Sequence, residues 1–181
     1  MKYEFVPGDE IVIAPGRTLK RIRALVAIAA LGIAAGEAGG YIESEKNLSQ
    51  VYGNAWVSGD ARVYGNAHVY GNAWVSGDAR VYGYAQVSGD AHVYGYAQVC
   101  SYAQVCSSDD LLLIGPAKSS GRFTTAYRDE KIGVRVSCGC FTGSVLEFSK
   151  KIESTHKNNQ EALEQYRLFC QLIAFNFGVK A

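Results

Sequence analysis

The fold is decided by residues 51–80, VYGNAWVSGDARVYGNAHVYGNAWVSGDAR. A valine recurs there every six residues and an alanine follows each valine four places later, and the valine spacing continues to Val105. A six-residue period with a branched apolar residue at its first place and a small one at its fifth is typical of a parallel β-helix, because each short strand buries its apolar side only by stacking on the next coil. The sequence therefore predicts a mainly β protein built on a left-handed parallel β-helix over 51–108.

The repeat also predicts which side chains face outward. Three hexapeptides form one triangular turn, so residues eighteen apart stack on the same face of the prism. The valine and the alanine point inward, and the residues on either side of the valine, Tyr52 among them, point outward. Glycine followed by Asn or Asp occupies the corners, where a positive φ is needed. These corner pairs are Gly53-Asn54, Gly59-Asp60, Gly65-Asn66, Gly71-Asn72, Gly77-Asp78 and Gly89-Asp90.

Residues 1–50 are interpreted as a β hairpin followed by a capping coil. Turn residues on both sides of the apolar run Ile11 to Ile13 are typical of a small hairpin. In the glycine-rich segment that follows, we expect Ile42 and Leu48 to carry the six-residue step up to Val51 in an irregular first coil. Solenoids need such an atypical end to shield the stack from water and from edge pairing.

Residues 109–181 form the predicted C-terminal module, a small α+β unit of order ββαα with three or so strands. Strands are expected over 122–128 and 132–141, since apolar or β-branched residues alternate in both. The polar residues 129–131 between them predict a hairpin turn. Such a unit is too small to hold a large core alone, so we expect it to dock on the prism or on a neighbouring subunit.

Two helices are expected to end the module. The spacing of Ser144 and Glu147 predicts a capping box that opens the first helix. Asn158 and Glu161 repeat this signal for a last helix that ends near Gly178. The apolar stripe expected to bury that helix consists of Leu168, Leu172 and Phe175.

Composition excludes several classes of protein. The formal net charge is +1, whereas nucleic-acid scaffolds and membrane-surface proteins carry a surplus of Lys and Arg, so we expect no nucleic-acid partner. The apolar stretch 24–36 has about 13 residues against the roughly 20 needed to span a bilayer. Acidic residues precede it, unlike in a signal peptide. We therefore expect a cytoplasmic protein with no membrane partner.

One face of the predicted prism carries two tryptophans that are one coil apart. Trp56 and Trp74, followed on the same face by His92 and Tyr94, predict an exposed apolar strip of the kind found at interfaces. We expect a homo-oligomer through this strip, with a trimer favoured because prisms of this type commonly pack three around an axis. The alternative is internal cover, in which the N-terminal segment or the C-terminal module folds back over the same face.

A second face carries arginines beside tyrosines. Arg62 and Arg80 could hold a phosphate group or another anion, and Tyr64 and Tyr82 could stack a nucleobase. This is the best candidate for a small-ligand site on the prism, with a nucleotide as the possible ligand. The alternative is a solvated face on which arginine stacks on tyrosine.

The residues that could act in catalysis do not form a constellation. Acyltransferases of the hexapeptide type use a catalytic histidine with coenzyme A, but His68 and His92 fall on different faces and no long loop builds an acceptor pocket. Within a strand the thiols of Cys138-Gly139-Cys140 would point the same way, with His156 as a candidate base. Small core cysteines are the alternative. The five cysteines show no paired metal-ligand pattern, so we expect no enzymatic activity, no cofactor and no metal site.

The chain resembles a group of bacteriophage and prophage proteins with hexapeptide repeats and a C-terminal α+β module. The resemblance is carried by GGYIESEKNLSQ (39–50), LLLIGPAKSSGRFTTAYR (111–128) and VSCGCFTGSVLEFSKKIESTH (136–156), around the repeats. The family has no settled biochemical role, so the resemblance implies a phage setting and no catalytic residues. In that setting, small proteins without an evident enzymatic type often bind host machinery or sequester defence signals.

Our leading hypothesis is a non-catalytic phage accessory protein of the host-cell cytoplasm. It would self-associate and bind a host protein, and so inhibit antiviral defence. The alternative is a sponge that sequesters a nucleotide immune signal in intersubunit grooves. A hexapeptide acyltransferase and a virion structural protein are further alternatives.

Overall fold

The first strands form an antiparallel hairpin that extends one sheet of the repeat region. The computed structural model describes residues 1–51 and 53–180. Strand β1 (Tyr3–Ala14) pairs with β2 (Arg17–Ala24), and β2 pairs with β3 (Ala38–Ile42). Strand β3 also pairs in parallel with a strand of the first full repeat coil. The hairpin is therefore continuous with one face of the coil stack.

The repeat region forms a parallel β-solenoid with three faces. Its two-residue strands are β4 (Trp56–Val57), β5 (Arg62–Val63), β6 (His68–Val69), β7 (Trp74–Val75), β8 (Arg80–Val81), β9 (Gln86–Val87), β10 (His92–Val93), β11 (Gln98–Val99) and β12 (Gln104–Val105). Each pairs in parallel with the strand eighteen residues away. The sheet orders are β1-β2-β3-β5-β8-β11, β4-β7-β10 and β6-β9-β12. The predicted class, a mainly β protein with a parallel β-helix, is confirmed.

Valine and alanine fill the interior of the solenoid. From Val57 to Val105 each repeat valine is fully buried, and the repeat alanines are at most 1% exposed. Valine suits these strands because its branched side chain packs well on a pleated surface. The corners need glycine: Gly59 has a φ of +66°, and a Cβ there would lie 3.1 Å from the carbonyl oxygen of Gly77 in the next coil.

The first coil departs from the predicted spacing. Leu48 forms a parallel bridge with Val69, so this coil contains three more residues than the regular repeat. Val51, which the sequence places inward, is 76% exposed, and that prediction is wrong. The reason is that Leu48 already fills the inward position beneath Val69. The outward position predicted for Tyr52 lies outside the described residues.

The C-terminal module caps one face of the solenoid at its upper end, which is the end formed by the last coils in the chain. Within the stack, the amides on both sides of an inward valine donate to carbonyls of the next coil at distances near 2.9 Å. Within residues 1–51 and 53–180, no further coil follows Val99 on this face. The amide of Gln98 donates instead to Thr125 Oγ1 at 3.0 Å, and that of Cys100 donates to the hydroxyl oxygen of Tyr127 at 3.2 Å. Side-chain oxygens thus satisfy buried amides that would otherwise lack a partner.

Two further side chains cap another face. Asp110 accepts a hydrogen bond from the amide of Cys106 at 2.9 Å at the upper end. At the lower end the requirement is reversed, and the side-chain amide of Asn47 donates to the carbonyls of Gly65 at 3.1 Å and Ala67 at 2.8 Å. Each inter-coil amide donates to a carbonyl of the next coil up the stack. Unpaired amides therefore remain at the top and need acceptors, and unpaired carbonyls remain at the base and need donors.

The C-terminal module contains a four-stranded antiparallel sheet. Its strands, in order across the sheet, are β13 (Leu111–Ile114), β14 (Thr124–Asp129), β15 (Gly133–Cys138) and β16 (Phe141–Ser144). The sheet therefore has more strands than the predicted order ββαα names. The main reason is a turn at Gly139 and Cys140, where Gly139 has a φ of +60°. This turn splits the single strand expected over 132–141 into two.

Two helices complete the module, α1 (Val145–Thr155) and α2 (Gln160–Phe177). The capping box of Ser144 and Glu147 is confirmed, since Ser144 Oγ accepts from the Glu147 amide and the Glu147 carboxylate accepts from the Ser144 amide. Helix α2 is capped by Asn159 rather than by Asn158, and it ends at Gly178 in the left-handed conformation. Among the described residues, no helix has the length and apolar character needed to cross a membrane.

The apolar stripe predicted to bury α2 faces solvent. Leu168, Leu172 and Phe175, here called the α2 stripe, are 58%, 46% and 86% exposed. The helix packs instead through a neighbouring row, made up of Ala162, Leu163, Tyr166, Cys170, Ile173 and Phe177. Both rows have helical spacing, so periodicity alone did not distinguish the buried row from the exposed one.

Tyr127→Phe tests the cap on the last coil. The substitution removes the oxygen that accepts from the Cys100 amide and that lies 3.0 Å from Ser137 Oγ. We expect the free energy of unfolding to fall by about 2 kcal/mol, because buried polar groups lose their partner. Chemical denaturation followed by circular dichroism measures this. Tyr84→Phe, at an exposed ring, should leave stability unchanged, and wild-type stability in Tyr127→Phe would contradict the capping role.

Candidate functional site

The tryptophan face is partly covered by the chain itself. Trp56 is fully buried, and its ring centroid lies 6.4 Å from that of Tyr3 in the hairpin. The backbone at Gly39 also lies against the indole, since a Cβ there would be 2.8 Å from the Trp56 ring. The prediction that Trp56 belongs to an oligomer interface is therefore wrong. The N-terminal segment covers Trp56 instead, which is the alternative that the sequence left open.

Trp74, His92 and Tyr94 continue the same face above Trp56. The rings of Trp74 and His92 stack with centroids 4.7 Å apart, and Trp74 Nε1 donates to Ser58 Oγ at 2.8 Å. Burial lowers the pKa of His92 and so favours its neutral form. The first two are half-buried and Tyr94 is 47% exposed. An oligomer interface through these three residues stays a prediction.

Trp74→Phe tests the cover of Trp56. The chain has two tryptophans, so this variant reports on Trp56 alone. We expect fluorescence emission at short wavelength and weak quenching by acrylamide, because the indole is shielded from water by the hairpin. Trp56→Phe is the matched control and should show the redder, more readily quenched emission of the half-buried Trp74. Equal quenching in the two variants would contradict the cover by the hairpin.

Two arginines on adjacent coils lie beside each other. Arg62 on β5 and Arg80 on β8 are register partners, so their backbones are about 4.8 Å apart. In the described part of the chain neither guanidinium forms an ion pair, whereas Arg17, Arg21 and Arg23 each pair with a carboxylate. Like charges directly opposite in a sheet are destabilising. The arrangement is therefore suited to an anion that would lie against both.

Tyr64 and Tyr82 stack on each other next to the arginine pair. Their ring centroids are 5.1 Å apart with an interplanar angle of 2°. The guanidinium of Arg17 lies over Tyr64, 5.5 Å from its centroid. Burial, together with the neighbouring Cys100 thiol, raises the pKa of Tyr82. The chain's own groups thus cover part of these half-buried rings, and a nucleobase stacked on them stays a prediction.

Three neighbouring cavities form one groove around the arginine pair. The first, of 330 Å³, is lined by Ile11, Val12, Ile13, Arg62, Tyr64 and Arg80. The second, of 120 Å³, is lined by Arg62, Asp78, Arg80, Tyr96 and Gln98. The third, of 440 Å³, includes Tyr96, Gln98, Pro116, Arg122 and Phe123. Since consecutive cavities share residues, we treat them as one feature, the Arg62–Arg80 groove, which runs from the hairpin to the C-terminal module.

The cysteine motif is not arranged as the sequence analysis expected. Cys138 ends β15 and is buried, whereas Cys140 is exposed in the turn that follows. The expectation that both cysteines lie within one strand is wrong. His156 stacks on Tyr166 at 5.0 Å and lines a small cavity with both cysteines. Within the described residues, no cluster of three or more His, Cys, Asp or Glu side chains could hold a metal ion.

Cys100 is a residue that sequence reasoning did not single out. Its thiol is buried beneath the C-terminal module, with Sγ 3.2 Å from the Tyr127 hydroxyl oxygen. Burial raises the pKa of this thiol, but hydrogen bonds with Tyr127, Ser101 and Tyr82 outweigh that effect and lower it overall. The sequence does contain a signal: among residues eighteen apart, Tyr64 and Tyr82 are followed by Cys100 instead of a third tyrosine. The smaller side chain leaves room for the C-terminal module to approach the last coil.

Comparison with known proteins supports the repeat architecture. The family model described as YdcK Beta solenoid repeat matches residues 49–63, 61–77 and 85–101. The chain is thus similar to this family along its coils. The matched segments include Arg62, whereas Arg80 lies between two of them. No curated protein sequence matches the chain. The similarity concerns the fold and assigns no function to any residue.

Proposed function

We propose that the protein is a non-catalytic binding protein that holds a phosphate-bearing small molecule in the Arg62–Arg80 groove. The observation that carries this proposal is the pair of guanidiniums on adjacent coils with no ion-pair partner among the described residues. Guanidinium groups bind phosphate through parallel N–H donors, often two to one phosphate. A phosphate between the two side chains would replace their mutual repulsion with attraction.

The walls of the groove favour a bound anion over a fully solvated face. Arg62 is only half-exposed, and Ile11 and Ile13 of the hairpin lie beside it. Charge-assisted hydrogen bonds are stronger where neighbouring apolar groups exclude part of the water. Asp78 lines the same groove but is in no ion pair within the described ranges. Both arginine forks are therefore available to a ligand.

A rigid protein without catalytic machinery suits sequestration. The resemblance to phage and prophage proteins provides the setting, and the arginine groove provides the means. In this proposal the ligand is a signal molecule of the host's antiviral defence, and the protein acts in the host cell by removing it from solution. The role is that of a phage accessory protein and needs no chemical step.

Thermal unfolding with inorganic phosphate tests the binding proposal. At constant ionic strength, we expect phosphate to raise the Tm of the wild type, because a ligand that binds only the folded state adds about 1.4 kcal/mol when its concentration is tenfold above Kd. Arg62→Gln/Arg80→Gln should abolish the rise. The same variant should be at least as stable as the wild type without phosphate, since the like-charge contact is gone.

Lys46→Gln/Lys157→Gln is the matched control, because it removes the same charge from exposed positions. This control should keep the wild-type response to phosphate. A rise in Tm that persists in the arginine variant, or one that both variants lose, would remove the proposed site.

Self-association is a second candidate function, and the exposed α2 stripe favours it. Contiguous apolar residues on a surface are typical of interaction sites. Glu164 precedes the stripe on the same helix and Lys180 follows it. Two copies that pack their α2 helices in antiparallel orientation would therefore bring opposite charges together at both ends of the stripe. We propose that the stripe joins two copies of the chain.

Light scattering of wild type and of Leu168→Glu/Phe175→Glu tests this assembly. We expect the wild type to show a concentration-dependent dimer mass and the variant to be a monomer, because buried carboxylates at the stripe would lack partners. Ile132→Glu, at an exposed turn residue of the same module, is the control and should still dimerise. A monomeric wild type, or a multimer that the variant leaves intact, would exclude the stripe as the assembly surface.

A further inference from the structure

We infer that the third cavity of the Arg62–Arg80 groove holds the ring of a nucleotide whose phosphate lies against Arg62 and Arg80. This inference rests on the proposed function and gives the ligand a chemical class, which the arginine pair alone leaves open. The ring site lies where the last coil meets the C-terminal module. Its walls come from both parts of the chain.

The third cavity has the size and the walls of a pocket for a flat ring. Its volume of 440 Å³ is in the range of small-molecule sites, which combine apolar walls with a few polar groups. Tyr96 from the solenoid and Phe123 from the module stack there with ring centroids 5.0 Å apart. Pro116 adds further apolar surface. Tyr96 is 57% exposed, so this pair offers ring surface that the covered Tyr64 does not.

Polar side chains in the same cavity can recognise the edge of a ring. Gln98 lines both the ring cavity and the cavity of the arginine pair. Its backbone is held by the bond to Thr125 Oγ1, while its side-chain amide has no hydrogen bond within the described part of the chain. A carboxamide offers a donor and an acceptor side by side, which matches the edges of nucleobases. Arg122, beside Gly139, adds guanidinium donors.

The spacing between the two subsites suits a nucleotide. Gln98 is the register partner of Arg80, so the two residues are one coil apart, or about 4.8 Å along the stack. The ribose of a nucleotide spans a comparable distance between phosphate and base. A ligand with its phosphate at the arginines thus places its ring beside Gln98 and Phe123.

The opposite end of the groove lacks these features. The first cavity is bounded there by the aliphatic residues 11–13 of β1 and by Tyr64. The face of Tyr64 that does not stack on Tyr82 is under the guanidinium of Arg17. No side-chain amide lines this cavity among the described residues. The ring is therefore assigned to the end next to the module.

Isothermal titration calorimetry with inorganic phosphate and with each common ribonucleoside 5′-monophosphate tests the ring site. We expect at least one nucleotide to bind the wild type about tenfold or more tightly than phosphate, because base stacking on aromatic rings adds affinity. Phe123→Ala and Gln98→Ala should each reduce that difference and leave phosphate binding unchanged. Arg62→Gln/Arg80→Gln should lose both ligands.

The outcomes separate this inference from the proposed function. If phosphate binds and no nucleotide binds more tightly, or if the gain survives in both Phe123→Ala and Gln98→Ala, the ring site is overturned and the arginine site stands. If neither phosphate nor any nucleotide binds, both are overturned. Tyr84→Ala removes an exposed ring that lines none of the three cavities and should bind as the wild type does. Gln98→Ala changes a half-exposed side chain, so it decides the question even if Phe123→Ala folds poorly.

Discussion

The hydrogen bonds between successive coils are the interaction on which the rest of the structure depends. Each repeat strand has two residues, and such strands are stable only when coils stack above and below them. The bonds leave amides unpaired at the top of the stack and carbonyls unpaired at its base. Asn47, Asp110 and the hydroxyls of Thr125 and Tyr127 satisfy these groups. The flanking parts of the chain are thus required by the chemistry of the coil ends.

The same bonds bring the groove residues together. Pairing of residues eighteen apart aligns Arg62, Arg80 and Gln98 in one column. The module that caps this column also contributes Phe123 to the groove. The cap and the candidate ligand site therefore lie at the same junction between solenoid and module. The stacked coils give the proposed phosphate and ring a stable, rigid binding surface.

The inward residues and the arginine pair could be predicted from the sequence, because both follow from the six-residue period. The cover of an outward face could not, since it comes from distant residues: Trp56 lies beneath the hairpin, and Leu48 takes the place expected for Val51. On α2, two apolar rows share helical spacing, and only tertiary packing buries one of them. Phe123 joins the groove only because the module docks on the last coil.

The most direct test of the central claim is a phosphate titration followed by NMR of the arginine side-chain Nε–Hε signals. The account predicts that the signals of Arg62 and Arg80 shift together, with one saturable dissociation constant, while that of the exposed Arg128 does not move. Shifts of equal size at all arginines would mean unspecific ion binding. That result, or unmoved signals at Arg62 and Arg80, would contradict a phosphate site in the groove.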